Sequence, residues 1–129
     1  MSTTPAAQLV LVVRGDREAA RAAVEEFFVG HGWRPRERGV GRIDYERGRR
    51  RRTILLGALA GRRFFLTAQI ELRETDAATD VRYRWGLGAG LALGGALGRR
   101  RADQVHAETA AALERHLEAS GLLIRSRRR

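Results

Sequence analysis

Hydrophobic periodicity divides the chain into segments of two kinds. QLVLVVRG, residues 8–15, is a short run rich in β-branched residues that ends in glycine, the pattern of a buried strand. From Arg17 the period lengthens. Ala20, Val24, Phe27 and Phe28 recur at helical spacing behind Asp16, which is placed to cap the first turn, and Gly30 or Gly32 ends the helix. After Trp33 the period becomes two. Ile43 and Tyr45 alternate with Arg42, Asp44 and Glu46; Phe64, Leu66, Ala68, Ile70 and Leu72 alternate with Phe65, Thr67, Gln69, Glu71 and Arg73; Val81, Tyr83 and Trp85 alternate with Arg82 and Arg84. Such alternation predicts half-buried antiparallel strands with one apolar and one charged face. Residues 33–38 and TILLGAL, residues 53–59, add two further candidate strands, with turns at ERGRRRR, LAGRR and ETDAATD. A meander that includes a strand at 53–59 places the arginine turn at 47–52 and the acidic turn at one end of the sheet. Arg62, Arg63 and the exit at Trp85 then share the other end.

The period is helical again from Arg99. Val105, Thr109, Ala112, Leu113, His116 and Leu117 share a stripe, and Gly121 followed by Leu122 is the sequence of a Schellman ending. The order strand, helix, four or five strands, helix, with one apolar sheet face, predicts a two-layer α+β fold. Both helices then lie on the same face of a curved antiparallel sheet. The chain of 129 residues reads as a flexible N-terminus (1–7), a single domain (8–124) containing a Gly-rich apolar segment (86–98), and a basic tail (125–129).

This element order, over residues 8–121, resembles the helix-grip fold of START-like domains, although one longer helix stands where that family has two short ones. The resemblance lies in the order of elements, and no sequence motif carries it. It implies a cavity for a lipid or other small hydrophobic ligand between the sheet and the last helix, lined here by Phe64, Leu66, Ile70, Tyr83, Leu113 and Leu117.

Composition narrows the chemistry. The absence of cysteine removes disulfides, thiolate metal sites and cysteine nucleophiles. His31, His106 and His116 fit no zinc spacing; His106 and His116 stand about 15 Å apart along a helix, too far for one metal. No phosphate-loop, GxSxG or GxGxxG pattern occurs, so the expectation is a non-enzymatic protein without metal or cofactor. A leader sequence is not apparent at residues 1–16, and no apolar run reaches the roughly 18–20 residues of a membrane span, which points to a cytoplasmic protein.

The formal net charge is +10, carried by arginine with no lysine, a bias that owes part of its origin to codon usage. Such a charge still favours phosphate-bearing partners, nucleic acid without sequence preference or an anionic membrane surface. Arg49, Arg50, Arg51, Arg52, Arg62, Arg63, Arg99, Arg100 and Arg101 are the candidate anion contacts.

Between Trp85 and Arg99 there is no charge, and Gly86, Gly90, Gly94 and Gly98 recur at steps of four. A helix with that spacing presents a smooth ridge for close approach of another helix. Trp85, Leu87, Leu91, Leu93 and Leu97, with these glycines, are therefore candidate contacts to a membrane or partner, a second copy of the chain included. The alternative is a glycine-rich crossover whose leucines complete the core. Three functions follow: a binding domain that uses residues 85–101 on an apolar or anionic-membrane partner, a START-like carrier of a small hydrophobic ligand, and an arginine-mediated nucleic-acid-binding or self-assembling protein.

Overall fold

A computed structural model of the chain describes residues 8–48, 66–85 and 95–128. In chain order these residues form β1 (Gln8–Arg14), α1 (Arg17–Gly30), β2 (Arg34–Gly39), β3 (Arg42–Arg47), β4 (Leu66–Glu74), β5 (Ala78–Arg84), α2 (Gly95–Ala119) and β6 (Leu123–Arg128). The strands make one sheet in the order β2-β3-β4-β5-β1-β6, antiparallel at every pairing. This is an α+β fold, an antiparallel sheet with two helices among the described residues. Register irregularities at Val12/Val13 and Glu37/Gly39 interrupt the ladders at both edges, the kind of extra residue that bends a strand.

The alternation read from the sequence sets the register. Ile43 lies opposite Ile70, Tyr45 opposite Ala68, Leu72 opposite Val81 and Leu9 opposite Tyr83, and all of these are buried on one face. Both helices cover that face. From α1, Phe28 stacks on Tyr45 with ring centroids 4.4 Å apart and meets Tyr83 edge to face. From α2, Ala110, Leu113 and Leu117 close the same core. Its deepest line runs through Ala102, His106, Ala110, Leu113 and Leu117. Val105, Thr109 and Ala112, expected on the central stripe, flank it because Tyr83 draws His106 inward.

Local chemistry sets the helix ends. The Asp16 carboxylate accepts from the Ala19 amide at 2.9 Å, capping α1. Gly32 ends the helix: its φ of +88° permits the Schellman pair in which the Trp33 amide donates to the Phe28 carbonyl and the Gly32 amide to that of Val29. Gly121, at φ +74°, repeats the motif for α2, with Leu122 donating to Leu117 and Gly121 to Glu118.

Three expectations are corrected. Residues 125–128 are not a tail outside the domain: they belong to β6, where Arg127 pairs with Val10 and Arg125 with Val12, because a backbone ladder needs no apolar side chain on an edge strand. The last helix begins at Gly95, four residues before Arg99. Finally, β3 pairs directly with β4, Arg47 opposite Leu66. Arg47 therefore shares its end of the sheet with Trp85 and stands opposite the turn at 75–77. The strand expected at 53–59 lies outside the described residues.

Candidate ligand groove

The C-terminal half of α1, the facing side of α2 and the Arg47/Leu66 end of the sheet enclose a groove of about 430 Å³. Phe27, Trp33, Leu66, Val105 and Ala112 give it apolar walls, and His31, Thr109, Glu108, Arg47 and Arg101 supply polar groups. A small-molecule site typically has a few hundred Å³ of mostly apolar lining with a few convergent polar groups, and this groove meets that description.

Each wall has a local cause. Trp33 follows the glycine that ends α1, the place where an apolar residue folds back on the helix. It does so on Phe28, edge to face at 5.4 Å, and leaves its other side to the groove. Arg47 lies over the Trp33 ring at 6.0 Å, a cation on an aromatic face. Phe27 is held between His31 and His116, with centroids at 4.3 and 5.6 Å. The His31 ring is fixed in turn by a 2.8 Å hydrogen bond between Nδ1 and the Phe27 carbonyl. On α2 the Thr109 hydroxyl donates to the Val105 carbonyl at 2.7 Å, so its oxygen still presents lone pairs.

Beside this groove the core holds a polar cluster. Tyr83 Oη and His106 Nδ1 share a 2.8 Å hydrogen bond, and the imidazole is stacked on Trp85 at 5.7 Å and tilted against Trp33 at 5.8 Å. Burial lowers the His106 pKa to about 4, because the imidazolium would lose its hydration there, and the same cause pushes the Tyr83 phenol up. Both are neutral at pH 7. Among the described residues no group of three or more histidines and carboxylates could hold a metal ion.

The structure separates the residues singled out from the sequence. Of the expected cavity lining only Leu66 faces the groove; Ile70, Tyr83, Leu113 and Leu117 are packed in the core, and Phe64 lies outside the described residues. The cavity side of α2 is instead Val105, Glu108, Thr109 and Ala112, one helical face away. Trp85 is 8 % exposed and is a core residue, not a membrane contact, because it continues the inward alternation of Val81 and Tyr83 and stacks on His106. Gly86, Leu87, Gly90, Leu91, Leu93, Gly94, Arg49, Arg50, Arg51, Arg52, Arg62 and Arg63 lie outside the described residues. Leu97, Gly98 and Arg99 fall in the first turns of α2; Arg100 is exposed on it and Arg101 lines the groove.

Phe27, Trp33, Val105 and Ala112 were not anticipated as lining. A signal for Trp33 was present, since an aromatic residue directly after a helix-ending glycine packs back over the helix terminus. Among the described residues no helix is long and apolar enough to cross a membrane. No known protein-family model matches the chain, and no curated protein is similar to it.

Proposed function

We propose that this protein is a non-enzymatic binding domain that takes a small amphipathic ligand between its last helix and its sheet, as a START-like carrier would. The observation that carries the reading is the groove of about 430 Å³, with Phe27, Trp33, Leu66, Val105 and Ala112 facing one another and charged groups at hand in Arg47, Arg101 and Glu108. A ligand with a flat apolar body replaces water against the aromatic and aliphatic walls, worth roughly 25 cal/mol per Å² of apolar surface removed from water. A weakly anionic head is met by Arg47, and a hydroxyl or amine by the Thr109 oxygen.

Titration of the full chain with 1-anilinonaphthalene-8-sulfonate, an aromatic body bearing one sulfonate, tests this reading. The expected result is a single saturable site whose affinity falls at least tenfold in Ala112→Phe, which fills the groove from the half-buried face of α2, while the thermal midpoint stays near that of the parent. Non-saturating fluorescence, or equal affinity in parent and variant, overturns it.

A further inference from the structure

Among the described residues no helix lies on the second face of the sheet. Cross-strand register places Arg36 opposite Asp44, Arg42 opposite Glu71, Glu71 opposite Arg82, and Arg82 and Arg127 on either side of Val10. Arginines on this face outnumber carboxylates. Asp44 is taken by Arg38 at 2.9 Å, Glu46 by Arg36 and Glu71 by Arg82, each at 3.5 Å. Those pairs, and Asp80 opposite Arg73, neutralise part of the face, and Arg14, Arg125 and Arg127 add positive charge beyond them. On it is a shallow hollow of about 350 Å³ bordered by the four arginines Arg38, Arg42, Arg82 and Arg84 and by the two carboxylates Asp44 and Glu71.

We infer that this open sheet face binds the phosphate backbone of duplex nucleic acid without sequence preference. Three observations converge on that partner. The charge is net positive and spread along rows: Arg42, Arg82 and Arg127 occupy every second strand of one row, with Glu71 between the first two, so the row is about 19 Å long at roughly 4.8 Å per strand. A duplex presents one negative charge per about 1.7 Å of axis, so such a row faces roughly ten phosphates on its two strands.

The second observation is the lack of stacking surfaces. Tyr45, Tyr83, Trp33, Trp85, Phe27 and Phe28 all turn to the helix-covered side, and among the described residues no aromatic ring lies on the open face. Single-strand binders draw much of their affinity from base stacking on such rings. The described residues of this face offer contacts to phosphates and none to bases, which favours the partner of higher charge density.

The third concerns membranes. Insertion into an anionic bilayer needs exposed apolar side chains beside the cations. The exposed large hydrophobics among the described residues are Val29, on α1, Val40, in the β2–β3 turn, and Ile124, at the start of β6, none of them in the hollow. This inference is independent of the groove, which opens on the other side of the sheet.

Fluorescence anisotropy of a labelled 20-base-pair DNA duplex, followed from 50 to 200 mM salt, tests it on the full chain. The triple variant Arg42→Gln/Arg82→Gln/Arg127→Gln is expected to reduce the slope of log K against log salt by about 2.7, three phosphate contacts at about 0.9 each. Arg115→Gln, on the exposed side of α2, should leave the slope unchanged, and a near-UV circular dichroism spectrum common to all three proteins excludes misfolding as the cause. An unchanged slope in the triple variant overturns the inference, since the arginines outside this face then carry the binding. So does the absence of duplex binding at 50 mM salt. A triple variant that loses binding to phosphatidylserine vesicles but not to the duplex overturns it in favour of a lipid surface.

Discussion

On the inner face of the sheet Tyr45 and Tyr83 stack against Phe28, Trp85 and His106 in a buried aromatic layer. One residue further along the same strands, Asp44, Arg82 and Arg84 stand on the outer face, half-exposed and joined by ion pairs and single hydrogen bonds. The two faces share every backbone hydrogen bond, so the ladder cannot account for any difference between them. Burial does. Each large inward side chain removes on the order of 150–250 Å² of aromatic surface from water, whereas an exposed ion pair nets about 0–1 kcal/mol after screening and side-chain ordering. Stability therefore rests on one face, and the charge on the other contributes little to it.

The comparison can be broken most severely from the inside. Phe28→Ala removes the ring between Tyr45 and Tyr83 and should cost about 3–5 kcal/mol in urea unfolding, the range for a large-to-small change in a close-packed core.

Acid sharpens the comparison next. Burial holds the His106 pKa at about 4 against 6.5 in the unfolded chain, so between those values the unfolded state binds more protons. The stability that His106 contributes is fully present above about pH 6.5 and is lost as pH falls toward 4, by about 3 kcal/mol at the limit. Unfolding free energies of the parent and of His106→Gln should converge over that window, the variant lacking this slope while sharing any slope due to carboxylates.

The smallest effect belongs to the outer face. A double-mutant cycle on Arg38 and Asp44, paired at 2.9 Å with the arginine half in solvent, should return a coupling of about 0.2–1 kcal/mol that shrinks in high salt.

Legibility from sequence follows the same division. The inner face could be read residue by residue because apolar side chains at period two and at helical spacing report burial directly. Ala20, Val24, Phe27 and Phe28 on α1 and Leu66, Ala68, Ile70 and Leu72 on β4 are buried as their spacing predicts. The end of α2 was legible from Gly121, and that of α1 was narrowed to Gly30 or Gly32, of which Gly32 is the one with a positive φ. β6 was not legible, because after Leu123 its inward positions hold Ser126, which donates to Glu114 of α2 at 2.7 Å, and Arg128, so the strand carries no sustained apolar period. The groove was legible in its location but not in its lining. The stripe read from the sequence put Val105, Thr109 and Ala112 together with Leu113 and Leu117, whereas with His106 held inward by its hydrogen bond with Tyr83 the first three border the groove.

The position of β1 also has a consequence in time. Its neighbours in the sheet are β5 and β6, with Leu9 facing Tyr83 on one side and Arg128 on the other. Among the described strands β1 leaves the ribosome ahead of the others and waits for β5 and β6 to be made. α1 can form locally in the interval, but its apolar stripe has no finished sheet to cover until β4 and β5 arrive. Pairings this remote in sequence are entropically slow to close, so the capture of β1 by β5 and β6 carries the largest loop-closure cost of the sheet.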